Sequence, residues 1–587
     1  MNDLDAAQQA RRPLAGRDEI IAIGLDAAAW EMCASLIRTA YSPNVKERAD
    51  CSTALCDLQG RTLALATYAP AHLGSTLKVV GAILARFPLE EMRPGDAFLA
   101  NDPYIVGVTH LNDCTVAAPV FVDGKPVAFT AAVAHQSDVG GRVPGSESGD
   151  STSIFQEGIR IPPVKLLDQG VLRRDIWELV LLNSRTPHFN EGDLRAQTAA
   201  NERGAQRLQA LYARYGTEDM TQAIGNMLDA CERRARERIR SVLAPGRYSA
   251  EDWLDEDGVS DTPVRLAVDL TADDGRLVFD FSRSAAQLGS GKNIPYTHLM
   301  ATVYFCTVSM IDPALPVNEG LYRVIEVVSP EGNVTNARAP AGVSSRNLTS
   351  MILADAIMNA LGQAAPGRAT AAGGPYQGII VSGQDPRLSR FYVDYENYAG
   401  GQGGSAVGDG ADVMQLHTTN TSNLPIEVTE LEFPLRVERY EMICDSGGAG
   451  RHRGGLGVRR DLRLVAPQAT LALRSARQRF EAKGLRGGGS GSLGAYRLDP
   501  EADGSGGTRL PSTLSEHPLA DGVLLRIETP GGGGYGDPRE RDAALVAYEV
   551  LQQRISVHAA RELYGVVVAA DGRLDEAATR ELRSNKA

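Results

Sequence analysis

Two copies of His-x-x-Asp, His110-Leu-Asn-Asp113 and His135-Gln-Ser-Asp138, are the residues of this chain best suited to chemistry. Imidazole and carboxylate together bind divalent cations, and two histidines with one carboxylate leave positions open for water or substrate. A cation held this way brings a coordinated water toward a pKa of about 7 and stabilises a forming oxyanion. The pattern points to metal-assisted attack of water on a carbonyl, or to carbonyl polarisation.

The two motifs act together only if the fold unites them. Residues 114–122 and 127–134 read as strands, and Asp123-Gly124-Lys125-Pro126 between them is a hairpin turn. Pairing Val122 near Lys125–Val127 sets His135 opposite Asn112–Cys114. His110, Asp113 and His135 then converge at the open end of the ladder. A second polar run, Lys46-Glu47-Arg48-Ala49-Asp50, lies between a helix end and a strand start, where side chains can point into a cleft. Glu47 or Asp138 is placed to move protons there. Asp102 reads as a turn cap, His72 as a capping or core histidine, and Cys114 as a small buried strand residue.

The supporting elements follow from periodicity. Residues 17–41 form an amphipathic helix stopped by Ser42-Pro43-Asn44, followed by a hairpin over 51–66. Val139–Gly149 is a glycine-rich stretch long enough to be a functional loop or lid. Residues 174–243 read as helices, 246–285 alternate as antiparallel strands, and apolar helices follow near 296–310 and 345–361. The fold class expected is α+β with several subdomains. An N-terminal part (1–170) carries the site and a helical insert (171–243) follows it. A sheet-rich middle (244–424) and a glycine-punctuated β-rich end (425–587) complete the chain.

Composition narrows the function. A chain of 587 residues exceeds one ordinary core, so its subdomains should share interfaces. The net charge of −13 gives nucleic-acid binding little electrostatic support. The short basic clusters Arg233–Arg240 and Arg451–Arg460 read as solvated helix faces or subunit contacts. No stretch of about 18 uncharged apolar residues suggests a membrane span, and the N-terminus lacks the apolar core of a secretory signal. Seven scattered cysteines without C-x-x-C favour reduced thiols and a cytoplasmic location. The glycine-rich loops match neither G-x-x-x-x-G-K-[ST] nor a clean G-x-G-x-x-G, so no nucleotide site is expected. They read instead as tight turns and close subunit contacts.

Ordered signatures run along nearly the whole chain. They are Ser42-Pro-Asn-Val-Lys-Glu-Arg-Ala-Asp50, Ala71-His-Leu-Gly-Ser75, Gly95-Asp-Ala-Phe-Leu-Ala-Asn-Asp-Pro-Tyr104, Thr109-His-Leu-Asn-Asp113, Ala134-His-Gln-Ser-Asp-Val-Gly-Gly141, Phe155-Gln-Glu-Gly158 and Thr529-Pro-Gly-Gly-Gly-Gly-Tyr-Gly-Asp537. In these the chain resembles the hydantoinase B/oxoprolinase family. It departs at Val106-Gly107-Val108, where the family usually has a glycine pair. The resemblance implies a B-type subunit of an ATP-dependent cyclic-amide hydrolase acting on a hydantoin or lactam. A separate A-type subunit of the actin-like kinase fold would bind ATP and phosphorylate the substrate oxygen, in an A/B hetero-oligomer. It also implies His110, Asp113 and His135 as ligands of zinc or manganese, Asp50 as a fourth, Asp138 orienting His135, and Glu47 as a proton-transfer group. Three other readings stand beside this one: a subunit of an acetone- or acetophenone-type ketone carboxylase, a non-catalytic scaffold for an A-type enzyme, and a stand-alone metallohydrolase.

Overall fold

The structure is a computed structural model that describes residues 16–501, 506–569 and 571–584. Its first sheet has seven strands in the order β2-β1-β5-β4-β3-β6-β7. These are β1 (Cys51–Cys56), β2 (Thr62–Thr67), β3 (Ala97–Ala100), β4 (Asp113–Val122), β5 (Lys125–His135), β6 (Val164–Asp168) and β7 (Val171–Leu172). Strands β4 and β5 form the expected hairpin, with Val122 paired to Lys125 and Asp113 to His135. The turn between them has positive φ at both Asp123 (48°) and Gly124 (73°). That geometry matches the twist of the flanking strands and sets their register.

Helices cover this sheet. Helix α1 (Gly16–Thr39) turns Ile21, Leu25, Ala28, Met32 and Leu36 inward, and α2 (Pro187–Tyr215) adds Ala196, Ala200 and Leu208 to the same core. By length and composition α1 could cross a membrane, but here that face is part of a packed interior. Helix α3 (Thr217–Val242) links this core to the next. The helices expected as an insert therefore belong to the N-terminal layer.

The middle sheet, in the order β11-β10-β9-β8, comprises β8 (Gly246–Leu254), β9 (Val264–Asp273), β10 (Arg276–Asp280) and β11 (Ile325–Val328). It packs on two largely buried helices, α4 (Tyr296–Ile311) and α5 (Arg346–Ala364). Beyond them two sheets sandwich a core of Ile379, Tyr398, Leu462, Leu471 and Ile527. One of these sheets pairs β12 (Gln377–Asp385) and β13 (Arg390–Tyr398) with strands Gln468–Arg474 and Thr513–Ala520. The division placed at 424/425 is thus crossed by hydrogen-bonded strands, because β12 finds its partner some 90 residues downstream. Strand β13 was hidden in the sequence by its polar inward positions, Asp394 and Glu396.

The glycine-rich segments, expected as tight turns and close subunit contacts, stack on one another inside this chain. Gly448 N–H bonds the Gly532 carbonyl, Gly532 N–H the Gly455 carbonyl, and Gly404 N–H the Gly533 carbonyl. A Cβ on Gly454 would sit 1.9 Å from the Gly532 oxygen. Only glycine permits backbones to approach so closely. The basic cluster at 451–460 is likewise no solvated face: Arg453 and Arg460 are buried, and Arg460 lies between the rings of Tyr398 and Tyr440.

Candidate metal centre

The open end of the β4–β5 ladder carries His135, Asp113 and, three residues before the strand, His110. All three are buried, with His110 and Asp113 at 0% exposure and His135 at 2%. The imidazole rings of His110 and His135 lie 4.9 Å apart. The third donor beside them is Glu147, which the sequence did not single out. Donor atoms of His110, His135 and Glu147 all fall within 4.8 Å of one another. Glu147 Oε1 is 3.2 Å from His110 Nδ1 and 3.7 Å from His135 Nε2.

On the far side of the His110 ring, Nε2 faces Asp113 Oδ1 at 3.2 Å. The same oxygen is 3.4 Å from His72 Nε2, which is 3.9 Å from Asp50 Oδ1. Carboxylates and imidazoles therefore alternate from Glu147 through His110, Asp113 and His72 to Asp50. His72 is buried as a core histidine would be, but it is also a member of this chain, with Nδ1 held 3.0 Å from Ser52 Oγ. Asp50 reaches the cluster because Ala49 adopts φ 54°, a left-handed kink between the turn Pro43–Lys46 and β1.

The donor set fits a divalent cation. His110 Nδ1 and Nε2, His135 Nε2 and Asp113 Oδ1 are buried without a hydrogen-bond partner in the protein. Such atoms are costly unless something else satisfies them. Burial, followed by the Arg346 guanidinium, lowers the His110 pKa to about 4, so the ring is neutral, as a metal-ligating imidazole must be. Burial alone would raise the Asp113 carboxyl, but His110 and His72 hold it well below its ordinary value. Burial of Glu147 is similarly overcome by Arg474, then by His135, His110 and Arg346, which keep it ionised. Asn44 Nδ2 sits 3.3 Å from His135 Nδ1. For Nε2 to keep the lone pair a metal needs, Nδ1 must carry the proton, so in the ligating tautomer the Asn44 amide turns its oxygen to this position and accepts from Nδ1.

Two guanidiniums complete the centre. Arg346, at the start of α5, places Nη1 3.1 Å from Glu147 Oε1 and donates to Thr109 Oγ1 from Nε and Nη2. Thr109 in turn donates a hydrogen bond to Asp113 Oδ2. Arg474 Nε lies 2.9 Å from Glu147 Oε2, and the Tyr395 hydroxyl donates to that oxygen at 3.1 Å. Glu157 anchors the approach to α5 by accepting the Val343 and Ser344 N–H groups.

Asp138 departs from its expected role. Its carboxylate accepts the N–H groups of Gly140, Gly145 and Arg185 and the Arg185 guanidinium. With both oxygens filled it staples the 139–147 loop that carries Glu147, and it makes no hydrogen bond to His135, whose Nδ1 faces Asn44 instead. Glu47 is half-buried at the end of the Pro43–Lys46 turn and makes no hydrogen bond or ion pair to the cluster. Asp102 is a turn cap as expected, accepting the Tyr104 and Ile105 N–H groups, with Arg160 on its other oxygen. Cys114 is a buried strand residue.

Residues 17–538 match the family model described as hydantoinase B/oxoprolinase. The chain belongs to that family. Among its hydantoinase B/oxoprolinase relatives is the beta chain of the caprolactamase of Pseudomonas jessenii, 33% identical over 95% of this chain and 97% of that one. The B-type subunit of the putative D-/L-hydantoinase of Pseudomonas sp. strain NS671 is 30% identical over 96% of this chain and 97% of its own length. The crystal structure of the ATP-dependent caprolactamase from Pseudomonas jessenii superposes with a TM-score of 0.87 at 30% identity, covering 97% of this chain and 99% of that one. A nucleotide-free acetone carboxylase shares the fold, with a TM-score of 0.88 at 21% identity over 98% of this chain and 83% of that one. The α+β architecture expected of this family member is the one observed.

Proposed function

We propose that this chain is the metal-dependent, B-type subunit of an ATP-dependent hydrolase of cyclic amides, hydantoin- or lactam-like, working in the cytoplasm with an ATP-binding A-type partner. The observation that carries the reading is the buried set of unpartnered donors at the β4–β5 strand ends. His110 and His135 would hold a zinc or manganese ion, with Glu147 and Asp113 as the flanking carboxylates and Asp50 more remote. When bound, such an ion supplies Lewis acidity toward water and a carbonyl oxygen. The chain's own residues prepare the site for it. The His110 ring, held neutral by burial, offers a lone pair, and Arg474 and Arg346 keep Glu147 ionised in a dry interior. His72 stands between Asp113 and Asp50, where a proton can pass from one carboxylate to the other. Both Pseudomonas relatives are named as one subunit of a larger enzyme, which supports a partner chain here.

The shared fold of acetone carboxylase keeps a ketone-carboxylase subunit as the second reading. One assay separates the two. The purified complex with its A-type partner is given ATP and hydantoin, caprolactam or 5-oxoproline, and in parallel ATP, bicarbonate and acetone or acetophenone. ATP-dependent ring opening supports the proposal, whereas bicarbonate-dependent ATP consumption with a ketone overturns it. Full turnover by a His110→Ala complex would leave only the scaffold role, and ATP-independent turnover by the isolated chain would favour a stand-alone metallohydrolase.

A further inference from the structure

The first turn of α4 is pressed against the loops that carry the centre. A Cβ on Gly74 would fall 1.9 Å from the Thr297 carbonyl oxygen, and one on Gly107 would fall 2.8 Å from Thr297 Cγ2. These glycines flank His72 and His110 in sequence, so their close approach draws the start of α4 to the centre itself. The residue after Thr297 is His298, which is fully buried. Neither of its ring nitrogens has a hydrogen-bond partner in the protein. Of the other buried histidines at the centre, His72 is held by Ser52 and His135 by Asn44, while His110, also without a hydrogen-bond partner, has its two nitrogens facing Glu147 and Asp113.

Polar atoms around the same seam are also unsatisfied, among them Ser75 Oγ, Thr76 Oγ1 and Thr297 Oγ1. Helix α4 also packs against α5, whose first turn carries Arg346. Burial, then Arg346, holds its pKa well below the ordinary imidazole value. A neutral imidazole has one N–H donor and one lone-pair acceptor. Leaving both unmet in a dry interior is unfavourable, so a ligand that offers an acceptor or a donor is the natural occupant. His298 is not one of the clustered donors, which are His110, His135 and Glu147. Thr297 beside it lines a surface cavity of about 700 Å3 together with Lys78, Tyr104, Tyr296 and Arg338, which brings solvent to the outer side of this turn.

We infer that His298 is a substrate-binding residue, whose imidazole hydrogen-bonds the polar edge of the ring substrate where α4 meets the loops of His72 and His110. Naming that edge as the N–H or C=O of a cyclic amide rests on the function proposed above; the presence of a non-protein partner for His298 does not.

Two measurements test the inference. The first compares His298→Ala and His298→Asn with the wild-type complex for bound metal, KM and kcat. Metal content should be unchanged in both, KM should rise at least tenfold in His298→Ala, and His298→Asn should recover part of the loss. Kinetic constants within twofold of wild type, or metal loss equal to that of His110→Ala, would overturn it. The second is a crystal structure of the wild-type complex, read independently of turnover. Ordered non-protein density bonded to a His298 nitrogen and continuous with the space at His110 supports the inference. Ring nitrogens bonded only to protein atoms overturn it, even where the variants fail to fold. A wild-type complex that opens no cyclic amide sinks the hydrolase reading alone, and the density at His298 then still decides this one.

Discussion

Replacing Glu147 with glutamine should both destabilise the fold and weaken metal binding. The Glu147 carboxylate is 1% exposed and sits 2.9 Å from Arg474 Nε and 3.1 Å from Arg346 Nη1. Glutamine keeps the shape and one carbonyl acceptor. Its amide NH2, however, faces one of the guanidiniums; Arg474 loses its counter-charge, and Arg346 keeps only Asp113 Oδ2 at 3.8 Å. Breaking a buried ion pair by removing one partner costs about 3–5 kcal/mol. For a cooperative unit of roughly 150–250 residues, each kcal/mol moves the melting midpoint by about 2–4 °C, so a drop of roughly 6–20 °C is expected. Scanning calorimetry in the presence of a chelator isolates this effect. Repeating it with zinc or manganese in excess adds the linkage contribution, about 2.7 kcal/mol at a hundred times Kd for the wild type and less for the variant. Adding Arg474→Met should restore part of the chelator-state loss, because one unpaired cation is then gone. A variant melting within about 2 °C of wild type in chelator would refute the ion-pair reasoning. Wild-type metal affinity would remove Glu147 from the donor set.

The remaining predictions follow the same contacts. His110→Ala and His135→Ala should each abolish bound metal and ATP-dependent turnover while the complex still assembles, as read by elemental analysis and gel filtration. Asn44→Ala, which frees His135 Nδ1, should lower metal affinity by about 10–100-fold in a competition titration. Gly454→Ala should fail to give soluble folded protein, because its Cβ would meet the Gly532 oxygen at 1.9 Å; wild-type thermal stability would contradict that. Burial, with Glu396 adding to it, pushes the Asp394 carboxyl up to about 8, so it is protonated in the fold at neutral pH. The unfolded chain releases that proton near pH 4. Its stabilising contribution is therefore complete below that pH and is lost as pH rises through about 8, at about 1.4 kcal/mol per pH unit. Asp394→Asn should flatten the fall in melting midpoint between pH 5 and 8, and an unchanged slope would contradict the assignment.

Local chemistry wrote the centre's first half into the sequence. The Asp123-Gly124 turn dictates a two-residue hairpin, pleat and register follow from it, and His135 must land opposite Asp113. A polar junction after α1 likewise marked Asp50, whose approach requires only the kink at Ala49. Glu147 and Asp138 were harder to read because both lie in or beside one glycine-rich loop. Their roles depend on which N–H groups that loop turns toward Asp138, and composition carries no record of that.

The second half was decided by tertiary structure alone. Arg346 arrives on the first turn of α5, Arg474 on a strand of the distant sandwich, and His298 on α4, each brought in by packing between layers. The pairing of β12 with a strand beyond residue 424 has the same origin. Periodicity and turn chemistry act over a few residues, so the sequence by itself determined the hairpin, its register and the two imidazoles. Contacts between residues hundreds of positions apart come from burial and close backbone approach, which are properties of the assembled layers. Only the fold could therefore supply the charges and the His298 ring that surround those two imidazoles.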